Sequence, residues 1–119
     1  ENIRRAAEIS KLFVDCGIVT ISCLVSPKKN MRTLAKEIIG EKNFCEIFIA
    51  TSLEDCEIRD TKGLYKKARR GELLNFTGIS SPYEEPVSPN LNIPTKGKNI
   101  EESSEILYNF VLPLISELR

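Results

Sequence analysis

Two apolar runs decide the fold of this chain: Ile-Val-Thr-Ile-Ser-Cys-Leu-Val at residues 18–25 and Phe-Cys-Glu-Ile-Phe-Ile-Ala-Thr at residues 44–51. Both runs combine β-branched and other apolar residues, a composition typical of strands that are covered on both faces. Helical spacing of apolar residues predicts helices at residues 3–16, 30–39 and 53–59, before, between and after the two runs. Helices that alternate with strands over short connections predict an α/β domain on a parallel sheet with right-handed crossovers.

The second half of the chain differs in composition. Residues 60–75 are strongly basic, and residues 76–98 are rich in Pro, Ser, Gly and Asn, which predicts a loop with a short strand at residues 91–93. An amphipathic pattern predicts a final helix at residues 99–118, capped by Asn99 and kinked or broken near its end by Pro113. The side chains expected to face inward from this helix are Ile100, Ile106, Leu107, Phe110, Val111 and Leu114.

Charge and composition narrow the classes of protein to consider. The chain has 119 residues, enough for one domain, and its 17 Lys and Arg balance its 17 Asp and Glu. No overall field therefore draws it to nucleic acid or to an anionic membrane, and no apolar stretch is long enough to span a bilayer. Because the chain has no histidine and no Cys-x-x-Cys pair, it offers little material for a metal site. Cys23 and Cys45 are expected to be buried thiols in a cytoplasmic protein.

Topology indicates where chemistry is expected. Ligands of open parallel sheets bind beyond the carboxyl ends of the strands, which here means residues 26–32 and the residues from Thr51 onward. The cations that follow Arg59 favour a mobile lid that closes over phosphate groups and neutralises a transferring phosphoryl group. A solvated basic helix face explains the same charges. These cations are Lys62, Lys66, Lys67, Arg69 and Arg70.

Longer motifs in this chain resemble one enzyme family, the adenylylsulfate kinases. The resemblance to the family's C-terminal half is carried by Asp-Thr-Lys-Gly-Leu-Tyr-Lys-Lys-Ala-Arg-Arg-Gly-Glu at residues 60–72, Asn-Phe-Thr-Gly-Ile at 75–79 and Pro-Tyr-Glu-Glu-Pro at 82–86. The start, Glu-Asn-Ile-Arg-Arg at residues 1–5, is similar to the family's segment after its substrate-binding loop. Ser26-Pro27, with Arg32 six residues on, is similar to the family's motif with a phosphorylatable serine.

The resemblance implies a fold and an activity. The fold is a three-layer α/β fold of the P-loop-kinase type, in which helices flank a parallel sheet. The N-terminal strand and the phosphate loop of that fold are missing from this chain. Residues 1–119 form a single domain with a lid at about residues 60–75. The activity is transfer of the γ-phosphate of ATP to the 3′-hydroxyl of adenosine 5′-phosphosulfate (APS). The product is 3′-phosphoadenosine 5′-phosphosulfate (PAPS), used in sulfate assimilation. Mg²⁺ accompanies ATP, and the intact cytoplasmic enzyme is expected to be a homodimer, with fusion to or association with ATP sulfurylase left open.

The resemblance also implies the site residues. Ser26, as the family's phosphoserine position, and Lys62, which would reach substrate or phosphate from the lid, are the implied catalytic positions. Phe76 would stack on the adenine of APS, since two flat polarisable rings hold each other at little entropy cost. Arg59 is the implied contact to the adenine of ATP, and no metal ligand is implied. The implied substrate contacts are Asn2, Arg5, Val25, Ser26, Lys62, Asn75 and Phe76.

Three of these residues have structural interpretations that need no ligand. A serine before a proline, as at Ser26, is typical of a turn. Phe76 would fill a core position, although its Asn-Phe-Thr-Gly setting is polar for a core strand. Asn2 is well suited to cap the first helix.

A phosphate-binding loop of the form GxxxxGK[ST] is absent from this sequence. Gly97-Lys98 does not supply it, because Asn99 follows and no glycine stands five residues before Gly97. Glu1 is not a methionine and no signal-peptide pattern follows it, so we expect the family's loop and central strand to lie upstream. Without them, the chain alone is expected to be inactive and prone to aggregation.

Two other interpretations compete with a kinase. One is a catalytically dead relative of the family that is kept as a nucleotide-binding or dimerisation module. The other is a different small P-loop kinase, which the Lys-Gly-Leu-Tyr-Lys-Lys lid at residues 62–67 disfavours.

Overall fold

The computed structural model describes residues 1–116. Within these residues the elements follow in the order α1 (Asn2–Asp15), α2 (Lys29–Ile39), β1 (Ile47–Ala50), α3 (Leu53–Arg59), α4 (Leu64–Arg69), β2 (Leu91–Pro94) and α5 (Ile100–Ser116). A short 3₁₀ helix at Glu41–Asn43 precedes β1. The predicted helices are confirmed in position, and the predicted continuation of the last one to Leu118 lies outside the described residues.

The two strands form a parallel sheet, in which Ile47 pairs with Leu91 and Ala50 with Pro94. Parallel pairing was expected, although β1 is shorter than the apolar run at residues 44–51 that predicted it. Ile93 in β2 is 1% exposed, the most buried large side chain of the described core, and α5 packs against this strand. Just beyond the strands, the hydroxyls of Thr51 and Thr95 hydrogen-bond to each other and tie the two carboxyl ends together.

The outer edge of β2 ends at a proline. The N–H groups of Leu91 and Thr95 donate to the carbonyls of Glu46 and Ala50, so alternate residues of β2 face β1. Pro94 therefore faces away from β1, on the open edge. Since proline has no N–H, that edge lacks a hydrogen-bond donor at this position.

The prediction of a strand at residues 18–25 is wrong in this structure. Among the described residues β1 pairs only with β2, so nothing lies beside residues 18–25 to form a ladder with them. The segment contacts α1, where the hydroxyls of Ser10 and Ser22 are 3.0 Å apart, but Ile21 is 71% exposed. Cys23 and Cys45 are likewise exposed, contrary to expectation, because the strands that would cover them are absent from the described chain.

The last helix begins as predicted. The Asn99 side chain accepts from the N–H of Glu102 at 2.8 Å, and the Glu102 carboxylate accepts from the N–H of Asn99 at 2.8 Å, which is a complete capping box. The helix continues past Pro113 without a break. The inward orientation predicted for Ile100 and Leu114 is wrong, since both are exposed. The reason is length: β2 has 4 residues and cannot cover a helix of 17.

Candidate functional site

A groove of about 1250 Å³ opens between residues 22–26, β1 and the loop of residues 73–86. We call it the Ser26 groove. The lining runs along β1 from Glu46 to Thr51, so the groove reaches the carboxyl end of the sheet, where ligands of parallel sheets bind. The structure brings together here the predicted substrate residues Val25, Ser26, Asn75 and Phe76.

Two residues of the Ser26 groove have an unusual backbone. Ser26 has φ of 44° and Asn75 has φ of 54°, values in the left-handed region that favours glycine. Such conformations cost energy and concentrate at ligand sites. The Ser26 hydroxyl donates to the Leu24 carbonyl at 3.4 Å, and the turn interpretation of Ser26 stays a prediction.

Arg32 connects the two walls of the Ser26 groove. Its side chain is 9% exposed and forms a 3.3 Å ion pair with Glu46. It donates to the Ser26 carbonyl and to the Glu84 carbonyl, each at 2.7 Å. The sequence motif contained Arg32 without indicating its burial. A signal was available, because Arg32 precedes Ala35 and Ile39 by three and seven residues and so lies on the apolar face of α2.

Asp60 anchors the segment that is predicted to form a lid. Its carboxylate accepts from the N–H groups of Tyr65 and Lys66 at 3.0 and 3.1 Å, which fixes the first turn of α4. The ring of Tyr65 contacts that of Phe76. Burial, together with a hydrogen bond to Cys56, raises the pKa of Tyr65 to about 12. Sequence reasoning missed Tyr65 as a neighbour of Phe76, since no spacing rule joins a helix to a distant loop.

The other predicted site residues lie apart from the lining of the Ser26 groove. Asn2 is the exposed first residue of α1, whose N-cap is Glu1, so the capping interpretation of Asn2 is wrong. Arg5 pairs with Glu1 at 3.1 Å. Lys62 is exposed in the turn between α3 and α4. Arg59 donates to the Thr95 carbonyl at 3.1 Å, beyond the end of β2.

Comparison with known proteins identifies the family. The profile described as adenylylsulphate kinase matches residues 1–94. This chain belongs to the adenylylsulphate kinase family. The adenylyl-sulfate kinase of Bacteroides fragilis is 53% identical over 116 residues, which are 98% of this chain and 57% of that protein. That of Prochlorococcus marinus is 48% identical over 114 residues, 96% of this chain and 57% of that protein.

A solved member of the adenylylsulphate kinase family shares the fold. The Mycobacterium tuberculosis APS kinase, solved in complex with AMPPNP and APS, superimposes with a TM-score of 0.86 at 38% identity, over 92% of this chain and 64% of that one. The fold is therefore α/β with a parallel sheet flanked by helices, a partial P-loop kinase fold. This member of the family spans a little over half the length of the curated relatives it matches. Across residues 1–116, no helix combines the length and apolar character that crossing a membrane requires.

Proposed function

We propose that residues 1–119 are the C-terminal part of a single adenylylsulfate kinase domain, with a lid at about residues 60–75. In that domain the chain binds APS while the γ-phosphate of ATP is transferred to its 3′-hydroxyl, which yields PAPS. The observation that carries the proposal is the meeting of Val25, Ser26, Asn75 and Phe76 around one groove that reaches the carboxyl end of the sheet. The complex of the Mycobacterium tuberculosis relative with AMPPNP and APS supports it.

The aromatic and polar residues of the Ser26 groove suit a nucleotide. Phe76 stacks on the adenine of APS, and Asn75 lies next to it in the chain. Val25 and Ser26 line the opposite wall and contact APS through their backbone. Because Phe76 is half-buried, part of its ring remains accessible to a base.

The cations of the proposal are not among the residues that line the Ser26 groove. Lys62 is exposed in a turn, and Asp60 fixes the downstream end of that turn through the N–H of Tyr65. The Lys62 side chain can therefore reach toward a phosphate. Arg59 contacts the adenine of ATP. Asn2 and Arg5, on the exposed first turn of α1, contact the phosphosulfate. A cation that neutralises a transferring phosphoryl group is worth about a thousandfold in rate or more, which is why Lys62 is a proposed catalytic position. Ser26 is proposed as the other because it stands at the family's phosphoserine position.

The chain alone is proposed to be inactive, because it has no GxxxxGK[ST] loop to hold the phosphates of ATP. Residues 1–116 contain no cluster of three or more His, Cys, Asp or Glu side chains able to hold a metal ion. We propose that Mg²⁺ enters with ATP and that its protein ligands lie outside these residues, so no step is assigned to it. Within residues 1–116, the edge of β1 that faces residues 22–26 pairs with no strand, which supports a sheet that other residues complete.

The proposal extends to the setting of the intact enzyme. We infer a cytoplasmic homodimer that binds ATP and APS and neither nucleic acid nor membrane, with fusion to or association with ATP sulfurylase left open. The exposed apolar side chains of α1, among them Leu12 at 66%, support an interface with another chain.

A chimera tests this function. This chain replaces the matching 116 residues of the Bacteroides fragilis adenylyl-sulfate kinase, whose remaining residues are kept. A coupled assay measures APS-dependent ADP formation by the chimera and by the 119-residue chain alone. We expect turnover by the chimera and none by the chain.

Two outcomes contradict the proposal. Normal turnover by the chain alone would refute its inactivity. A folded chimera that binds APS without phosphorylating it would identify the chain as a catalytically dead binding module.

A further inference from the structure

Arg32 is the buried cation at the wall of the Ser26 groove, and each of its partners lies in a different segment. The guanidinium donates to the Ser26 carbonyl at the end of residues 18–26 and to the Glu84 carbonyl in the loop, each at 2.7 Å. Its charge is balanced by Glu46, next to β1, at 3.3 Å. One side chain therefore joins three segments that are far apart in the sequence.

The two carbonyls that accept from Arg32 belong to segments whose conformation depends on contacts with other parts of the chain. Ser26 has a positive φ, a conformation that a serine keeps only when its surroundings impose it. Glu84 lies in the loop that follows Phe76. Two backbone contacts reinforce the connection: the Glu84 N–H donates to the Pro27 carbonyl at 2.8 Å, and the Lys29 N–H donates to the Glu84 carboxylate at 2.7 Å.

The geometry requires a guanidinium. Its N–H donors point in fixed directions within one plane, so a single arginine reaches two carbonyls and a carboxylate at once. A lysine carries the same charge on one atom and cannot span both carbonyls. Substitution by lysine therefore removes the planar array of N–H donors while it keeps the positive charge.

We propose that Arg32 is a positioning residue for APS: it holds Ser26 and the loop after Phe76 at a fixed separation across the Ser26 groove. This inference rests on the proposed function. Because Arg59, the proposed contact to ATP, is held instead by the Thr95 carbonyl, Arg32 affects the use of APS and leaves that of ATP largely unchanged.

The test uses the chimera and compares Arg32→Lys, Arg32→Met and Glu46→Gln. The matched control is Lys36→Met, which removes a cation one turn along α2 whose partner, Glu41, is at 2.8 Å on the surface. For each variant the KM for APS, the KM for ATP, kcat and the melting temperature are measured. We expect Arg32→Lys to raise the KM for APS by about tenfold to a hundredfold, the scale of a misplaced binding group, with the KM for ATP within about twofold of the parent.

The outcomes separate this inference from the proposed function. An inactive parent chimera contradicts the proposed function. An active parent whose Arg32→Lys variant keeps its KM for APS, or raises both KM values together as the melting temperature falls, overturns the inference. If Arg32→Lys and Arg32→Met do not fold, the Glu46→Gln variant decides, because it keeps the guanidinium and weakens its ion pair. A selective rise in the KM for APS in that variant supports the inference. An unchanged KM for APS overturns it.

Discussion

The rings of Tyr65 and Phe76 meet edge to face, with their centroids 5.1 Å apart and their planes at 77°. Pairs of this geometry contribute about 0.5–1.5 kcal/mol beyond the area they bury. Tyr65 is in α4, within the proposed lid, and Phe76 lines the Ser26 groove. We therefore expect a movement of the proposed lid to be transmitted to the residue proposed to hold the adenine of APS.

Phe76→Ala in the chimera is expected to weaken APS binding about tenfold to a hundredfold, because stacking contributes about 1–3 kcal/mol per base. Isothermal titration calorimetry with APS measures the effect. Tyr108→Ala, an exposed aromatic residue on α5, is the control and should change nothing. If APS binds equally well after both Lys62 and Phe76 are replaced by alanine, the roles assigned to these residues are lost.

Tyr65 predicts a pH dependence at the alkaline side. Burial and Cys56 raise its pKa from 10.0 to about 12, so the folded state favours the neutral phenol. The stability that this contributes is fully present below pH 10.0 and is lost as the pH rises toward about 12. The free energy of unfolding is measured by urea unfolding from neutral pH to above pH 10. It should fall more steeply with pH in the chimera than in the chimera that carries Tyr65→Phe. Parallel curves for the two proteins would contradict the pKa shift.

Asp60→Ala is expected to loosen the lid, because the Asp60 carboxylate satisfies two N–H groups at the start of α4. Removing such a cap costs about 0.5–2 kcal/mol of local stability. Hydrogen exchange of the Leu64–Arg69 amides in the chimera should accelerate, and less so in Asp60→Asn, which keeps one acceptor. Asp15→Ala removes only a surface pair with Lys11 and should leave that exchange unchanged. Equal exchange in all variants would show that other contacts hold the lid.

Exposed apolar side chains in residues 18–25 predict that the 119-residue chain associates with itself. Ile21→Ser should raise the concentration at which light scattering begins, because the Ile21 side chain is exposed. Ile93→Ser should lower it, since emptying a buried isoleucine site costs about 2–5 kcal/mol. Faster scattering by Ile21→Ser would show that residues 18–25 are not the associating surface.

The helices were predictable because their signals are local. Apolar spacing located α1, α2 and α3 within one or two residues, and Asn99 with Glu102 three positions on marked the start of α5. The conformation of residues 18–25 was not predictable in the same way. Their β-branched composition favours an extended chain, but a strand also needs a neighbouring strand with which to form a ladder of hydrogen bonds. The same dependence on neighbours explains why Cys23 is exposed.

The site was predictable in part. The family motifs directed attention to Val25, Ser26, Asn75 and Phe76, which the fold brings to one groove. The contacts of Arg32 with Ser26 and Glu84 join residues 6 and 52 positions apart, and no local pattern contains them. The roles of Asn2, Arg5, Lys62 and Arg59 stay predictions, since only a bound nucleotide can test them.

Pro94 has a consequence for how copies of this chain assemble. Within residues 1–116 the outer rim of β2 lacks one donor, so the border along β1 is the more complete partner for another strand. Two molecules that joined along β1 would leave only the weakened outer rims of β2 for a third. Clusters of the chain should therefore be amorphous or dimeric, without the endless cross-β stacking of amyloid.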